Sequence, residues 1–333
     1  MQIGSFVSAN PIFTAPMAGI TDRPFRDILH NMAAGLVFTE MVSDMALVYK
    51  NKETHAMLNL TGETRPIAVQ LCGSQPEIMA EAAQIIAEKG ASLLDINMGC
   101  PAPKIVKNGE GCALMRQPER AIAIVKAVRR AVSLPLTVKM RKGWDDNNVN
   151  VVSFAQAIAD AGADAIIVHG RTREEFYSGQ ADWQTIQKVV AAVPIPVIGN
   201  GDIQQPEQAI AHLSTSGCAG VMIGRGMLGN PWLIRDAVRL SQGLTILNKP
   251  KVSEIFSLAR QHLAAQIELC GEKSGIQQMR KHFAWYIKGQ RGAAAMRNAI
   301  NQQETLEDLL SLLESYEREL LEYEEERHAV TNC

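Results

Sequence analysis

Residues 93–99 read LLDINMG and residues 135–141 read PLTVKMR. Each is a short apolar run that turns polar at its end, and an amphipathic stretch of helical length lies beyond each of them. Six further runs repeat the pattern: PIFTAPM (11–17), GLVFTEM (35–41), PIAVQLC (66–72), DAIIVHG (164–170), PVIGNGD (196–202) and GVMIGRG (220–226). Helical spacing is expected over Pro76–Lys89, Pro118–Ala131, Val151–Ala161, Asp182–Ala192 and Pro206–Leu213. Several of these open on proline or an acid and close at glycine, which is helix punctuation. A strand followed by a helix, repeated eight times, predicts an α/β chain whose parallel sheet closes into a (β/α)8 TIM barrel over residues 1–240. An open doubly wound sheet is the less favoured alternative. The long connection after the fourth run, Pro101–Gln117, is expected to be a mobile active-site loop.

Beyond the last run, SQGLTILNKPKV (241–252) reads as a linker into a C-terminal helical domain at 250–333. Helices are expected over Ser253–Glu272, Gln277–Gly289 and Ala293–Ala299, and from Thr305 to Arg327, with Leu306, Leu309, Leu310, Leu313 and Leu320 as the last one's packing stripe. The final stretch RHAVTNC is expected to fray. Charge is segregated along this region. Residues 241–300 balance at +6 and residues 301–333 at −8, while residues 1–240 are neutral. A basic segment of this kind suits a polyanionic partner. On a helix, Lys281, Lys288 and Arg291 would share one broad face.

Composition narrows the class. Of 333 residues, 47% are hydrophobic and 20% charged, the ordinary globular mixture. No 18-residue apolar run is present, and the start lacks a basic and apolar leader, so neither a membrane span nor a signal peptide is expected. Six cysteines, at 72, 100, 112, 218, 270 and 333, include no CxxC pair, which argues against a metal site or a dithiol and for a cytoplasmic protein with reduced thiols. Oligomeric state has no sequence signal, and a monomer is the simplest expectation.

Chemistry in such barrels gathers at the carboxyl ends of the strands. The runs end in Pro16-Met17-Ala18, Glu40, Gln70, Asn97 with Cys100 beyond, Lys139 and Arg141, His169 and Arg171, Asn200-Gly201-Asp202, and Gly224-Arg225. Thr137, Lys139 and Arg141 alternate onto one face, where two inward cations call for an electron-rich or anionic partner. Lys139 could form a Schiff base, clamp a phosphate or donate to a flavin ring. GNGD and IGRG carry the glycines and the cation of a phosphate site, with Arg225 as the charge. A flat phosphorylated heterocycle such as flavin mononucleotide (FMN) fits these positions. A dinucleotide fits less well, because no GxGxxG follows a strand. Cys100, in DINMGCPAPK (95–104), has no metal partners and no basic neighbour in sequence. An unperturbed thiol titrates near about 8.5, so Cys100 would serve as a general acid.

The segments TAPMAGITDRPFR, QLCGSQPE, DINMGCPAPKI, TVKMRKGW, IIVHGRTREEFYSG, VIGNGDI, GVMIGRGMLGNPWL and MRKHFAWYIKG resemble the tRNA-dihydrouridine synthases, in the family's order and over residues 10–300. The resemblance is greatest to the bacterial B subgroup. It implies an FMN oxidoreductase that reduces the C5=C6 bond of a uridine in the tRNA D-loop, at position 17, with NADPH reloading the flavin. It implies Cys100 as the acid that protonates C5. Pro16, Met17 and Ala18 would form the flavin wall, and Gln70, Lys139 and His169 would touch the flavin. Asn200, Gly201, Asp202, Gly224 and Arg225 would hold ribityl and phosphate, and Asn97 would lie near flavin and base. From charge and position, Arg141, Arg171 and Arg173 would guide RNA into the mouth, and Lys281, Lys288 and Arg291 would bind its backbone. A small-molecule flavin pyrimidine reductase or dehydrogenase on the same barrel is the rival expectation.

Overall fold

A computed structural model describes residues 1–331, with side chains described through Glu326. Eight parallel strands form one sheet: β3 (Ile12–Thr14), β4 (Val37–Ser43), β5 (Ile67–Cys72), β6 (Leu93–Met98), β7 (Leu136–Gly143), β8 (Ala165–Thr172), β9 (Val197–Asn200) and β10 (Gly220–Ile223). The strands stand in sequence order around the sheet, and β10 pairs back onto β3. The ring closes between β3 and β4, where the Thr14 N–H donates to the Leu36 carbonyl at 3.1 Å and the Gly35 N–H to the Ile12 carbonyl at 2.8 Å. The fold is a TIM barrel, and the open sheet is excluded by those closing bonds.

Period-two alternation sorts each strand between barrel interior and helical shell. Inward positions are apolar at the lower end: Phe13, Leu36, Phe38, Leu93, Ile167, Ile198 and Met222 form one fully buried cluster. A two-strand hairpin, β1 (Gln2–Ile3) with β2 (Phe6–Val7), plugs the floor, with Ile3 inserted among those side chains. The sequence pattern missed this hairpin, because strands of two residues carry no periodicity. Two steps up the same strands the inward positions become Gln70, Asp95, Asn97, Lys139, His169 and Asn200. Register sets them side by side: Gln70 faces Asp95, Asn97 faces Lys139, and His169 faces Asn200.

The helices of the shell begin at or within one residue of the expected starts: Pro76–Glu88, Pro118–Ala131, Val151–Asp160, Trp183–Ala192 and Pro206–Ser216. The connection after β6 departs from expectation. It is not an open loop but a short helix, Pro103–Lys107, and a 3-10 turn, Gly111–Arg116, whose residues 111–115 are buried. Hydrophobic Leu114 and Met115 anchor it, each no more than 1% exposed.

The chain divides into two units, residues 1–226 with 233–245, and residues 227–232 with 246–333. The second has its own core, built by Val252–Cys270, Glu272–Tyr286, Ala293–Gln302 and Leu306–Thr331 around Phe256, Met279, Phe283, Leu309 and Leu313. The helix expected to run to Gly289 stops at Tyr286, and the last helix continues past Arg327. Asn332 and Cys333, the end of the stretch expected to fray, lie outside the described residues. No described helix is long and apolar enough to cross a membrane.

Phe38 fills the barrel floor with no exposed surface. Phe38→Ala should lower the unfolding free energy by about 3–5 kcal/mol, read as a lower urea midpoint, because the floor cannot collapse around the vacated ring.

Candidate active site at the barrel mouth

The upper interior is organised by a carboxylate. Asp95, fully buried, accepts from Thr137 Oγ1 at 2.6 Å and from Gln70 Nε2 at 2.6 Å. The other end of the Gln70 amide, Oε1, accepts from Asn97 Nδ2 at 2.8 Å. Asn97 Oδ1 in turn accepts the backbone N–H groups of Gly99 at 3.1 Å and Cys100 at 2.8 Å. Asn97 Oδ1 has both lone pairs engaged and Gln70 Oε1 one of its two, and Asn97 Nδ2 also reaches Met41 Sδ at 3.6 Å.

Cys100 sits on the turn that this chain holds. The Gly99 carbonyl receives Arg141 Nε at 3.0 Å and the Cys112 thiol at 3.0 Å, and the Cys100 carbonyl receives the Cys112 N–H at 3.1 Å. Gly111 must be glycine here: with φ at +57°, a Cβ would lie 2.7 Å from the Cys100 carbonyl oxygen. The Cys100 side chain remains half-buried at the mouth. Burial pushes its thiol up from the ordinary value, while the Ala102 N–H and the charges of Arg141 and Lys139 work the other way. The thiol is therefore protonated at neutral pH, as an acid must be.

Across the mouth, Lys139 Nζ donates to Asn200 Oδ1 at 3.2 Å, and Asn200 Nδ2 to the Met222 carbonyl at 2.8 Å. Burial and Arg141 push the Lys139 ammonium down, to about 8. Burial also drives His169 well below its usual range, assisted by Lys139, Arg141, Arg171 and Arg225, so its imidazole is neutral. Gly201 lies against this ring at φ +139°, where a Cβ would come within 2.4 Å of the Ala181 methyl. Asp202 is held by Arg171 through two bonds of 2.8 Å and receives the Ala181 N–H at 2.7 Å. Although partial burial works to raise it, those partners hold the Asp202 carboxyl below the usual range. Arg225, half exposed on a 3-10 turn at Arg225–Met227, lies 3.6 Å from Asp202 and stacks on Tyr177 at 4.5 Å. Pro16 and Met17 are half-buried and Ala18 exposed on the turn after β3, whose Gly19 N–H donates to Glu40.

The structure thus gathers Gln70, Asn97, Cys100, Lys139, His169 and Asn200 at one mouth. It assigns other work to two expected RNA guides. Arg141 is 3% exposed and donates to the carbonyls of Gly99, Thr172 and Phe176, so it braces the Cys100 turn. Arg171 is 2% exposed and is committed to Asp202 and the carbonyls of Ser178 and Gly179. Arg173 is half-buried and stacked at 5.0 Å on the Trp144 ring, which Arg116 also meets at 4.7 Å. In the helical unit only Lys281 lies on Glu272–Tyr286. Lys288 and Arg291 follow that helix on the exposed connection, and Arg291 stacks on Tyr323 at 4.5 Å. The expected shared helix face is replaced by a helix and the turn after it.

Comparison with known proteins agrees with this geometry. A family model for dihydrouridine synthase matches residues 13–321. The chain belongs to the dihydrouridine synthase family. It is 41% identical over 316 residues to tRNA-dihydrouridine synthase B of Vibrio cholerae, covering 95% of this chain and 98% of that protein. It is 42% identical over 315 residues to the probable tRNA-dihydrouridine synthase 1 of Synechocystis, covering 94% and 88%. The tRNA-dihydrouridine synthase B of Pseudomonas aeruginosa is 39% identical over 302 residues, 91% of each chain.

Three members of the mouth escaped the sequence pattern in this synthase-family chain. Asp95 shares the inward face with Asn97 by period two, and that alternation was the signal that could have found it. Cys112 and Glu110 lie on the connection, where no periodicity operates. Glu110 Oε2 accepts from the Cys72 thiol at 3.6 Å, and burial raises both groups. Among the described residues, no cluster of His, Cys, Asp or Glu could hold a metal ion.

Arg171→Met would strand Asp202 beside its backbone donor. Since Asp202 is partly solvated, the loss should be about 3 kcal/mol, seen in thermal or urea unfolding.

Proposed function

We propose that the chain reduces the C5=C6 bond of a uridine in the D-loop of tRNA, at position 17, with FMN as its cofactor and NADPH as reductant. The observation that carries this reading is Cys100: a thiol kept protonated by burial, on a turn pinned by five hydrogen bonds, at the open end of a barrel lined with donors. The residues present fit FMN on the chemistry of the donor set. Lys139 offers N–H groups to acceptors on a flat ring, and Gln70 and Asn97 would lie against its edge. Arg225, with half its side chain exposed, and the glycine at 224 suit a phosphate beside a short helical turn. Gly224 leaves room, since an added Cβ would meet nothing nearer than the Ala15 methyl at 3.4 Å. Pro16, Met17 and Ala18 would supply the apolar wall.

The chemistry FMN supplies when bound is hydride to C6 of the base, NADPH restoring the reduced cofactor. Reduction then needs one proton at C5, and Cys100 Sγ gives it. The thiolate left behind is tolerated because the Ala102 N–H and the Arg141 and Lys139 charges favour it, and solvent at the mouth returns the proton. Neutral His169 adds no competing acid, and Lys139, pushed down to about 8, remains largely cationic at neutral pH and adds a donor. The base must leave its stack to enter a barrel mouth, at a cost of a few kcal/mol, and a loop nucleotide leaves most readily. Arg173 at the rim, and Lys281, Lys288 and Arg291 on the helical unit, would meet phosphates of the same RNA.

Cys100→Ala should slow single-turnover dihydrouridine formation by about 100- to 10,000-fold, the range for a positioned proton donor, with flavin content unchanged. Because burial raises the thiol, the alkaline limb of kcat should lie above about 8.5, the ordinary thiol value. A limb near 8 would report Lys139, whose ammonium is pushed down to about 8, whereas a Cys100 thiol followed directly and titrating below about 8.5 would be removed as the acid. Flavin released on denaturation, and position-by-position mapping of dihydrouridine in tRNA from cells lacking the protein, test cofactor and substrate.

The double charge reversal Lys281→Glu with Lys288→Glu should weaken tRNA binding and flatten its salt dependence, by about one unit of log–log slope for each phosphate that the protein no longer neutralises. Binding that keeps its strength and slope would take the helical unit out of RNA recognition.

A further inference from the structure

Hydrogen bonds between amides have a direction, and the row at this mouth has both ends fixed. At the Cys100 end, backbone N–H groups can only donate, so Asn97 must turn Oδ1 toward Gly99 and Cys100. That leaves Asn97 Nδ2 for Gln70, so Gln70 must turn Oε1 toward Asn97 and Nε2 the other way, down into the barrel. Whatever lies below Gln70 must therefore accept. Asp95 is that group, fully buried, and its Oδ2 accepts from Gln70 Nε2. Thr137 Oγ1 satisfies its other oxygen. Were the group below Gln70 a donor or an apolar side chain, the Gln70 amide would face an unpaired N–H in the interior or would reverse. Reversal would put Nε2 against Asn97 Nδ2, and the Gly99 and Cys100 N–H groups would lose their acceptor in turn.

We infer that Asp95 is a positioning residue: its carboxylate fixes the orientation of the Gln70 and Asn97 amides and through them the placement of the Cys100 thiol at the mouth. This rests on the reading of Cys100 as the proton donor. Asp95 touches neither the thiol nor the mouth surface, and it acts through two side chains.

Three variants separate this role from a merely structural one. Asp95→Ala removes the acceptor. Asp95→Asn keeps one carbonyl oxygen for Gln70 and turns its amide N–H toward Thr137, whose hydroxyl can accept. Thr137→Val leaves the Gln70 contact in place. On the full-length protein, the rate of Cys100 alkylation by iodoacetamide at fixed pH reads the thiol's surroundings without tRNA or turnover. The slot freed from its anchor should expose the thiol, so Asp95→Ala should raise that rate by about tenfold, with Asp95→Asn and Thr137→Val within about twofold of the parent. Side-chain amide nitrogen signals of Gln70 and Asn97 should shift in Asp95→Ala and hold in Thr137→Val. In turnover, Asp95→Ala should lose kcat by about 10- to 100-fold with little change in KM for tRNA, as a misplaced acid does, and Asp95→Asn should recover most of it. If Asp95→Ala fails to fold, the Asp95→Asn and Thr137→Val measurements still decide. Alkylation in Asp95→Asn raised tenfold would show that charge, not the accepting oxygen, does the work, and would overturn the inference. Unchanged alkylation and unchanged amide signals in a folded Asp95→Ala would also overturn it. Alkylation altered as expected while Cys100→Ala keeps full activity would instead leave the lock standing and defeat the proton-donor role.

Discussion

On the reading proposed for Cys100, a thiol that delivers a proton at an open mouth needs a rigid backbone beneath it, and here the turn is held by polar groups inside a barrel. Polar groups there are unfavourable unless every one is paired. The row from Thr137 through Asp95, Gln70 and Asn97 to the Gly99 and Cys100 amides meets this condition with no orphaned member: each donor has an acceptor, at 2.6 to 3.1 Å. Burial pushes the Asp95 carboxyl up, to about 7, against the pull of the Gln70 and Thr137 bonds and the Lys139 charge. Those bonds and that charge draw the carboxyl back toward its ionised form, and its Oδ2 accepts from Gln70 in either form.

The barrel supplies the conditions for this. Its floor is dry, closed by the β1–β2 hairpin and by Phe13 and Phe38, so water does not compete for the Asp95 bonds from below. Its upper half carries Lys139, Arg141, Arg171 and Arg225 against the carboxyls of Asp95 and Asp202. Burial, with these cations, keeps His169 neutral, and the cations favour negative charge in a ligand at the mouth. Arg171 spends its charge on Asp202, which fixes the loop through 178–181, and so leaves Arg225 with half its side chain exposed.

The eight strands and most of the shell helices were legible because each strand keeps period two and each helix is punctuated by proline or glycine. So was the mouth, since polar residues end nearly every run. The failures share a cause. Arg141 and Arg171 sit on inward positions, as alternation requires, but Arg141 donates to the carbonyls of residues 99, 172 and 176, and Arg171 to Asp202 and the carbonyls of residues 178 and 179, and no side-chain pattern reveals those carbonyls. The connection at 101–117 looked open because its glycines suggested freedom, whereas Gly111 is there to let the turn press against Cys100. Lys288 and Arg291 fell off their expected helix because Gly289 and Gly292, both at positive φ, follow an ending already made at Tyr286.

If residue 100 is the proton donor proposed above, the same surroundings account for a cysteine there and not a stronger acid. Arg141 and Lys139 lie close enough to lower the Cys100 titration. A carboxyl group starts from about 4, and two nearby cations would hold it ionised at neutral pH, where it has no proton to give. A hydroxyl starts far too high to release one. A thiol starts near about 8.5, and burial outweighs the cations, so it keeps its proton while remaining within reach of losing it. The cations that the mouth needs for an anionic ligand would disable a carboxylic acid at this position, and they leave a partly buried thiol as the side chain whose ordinary acidity survives them.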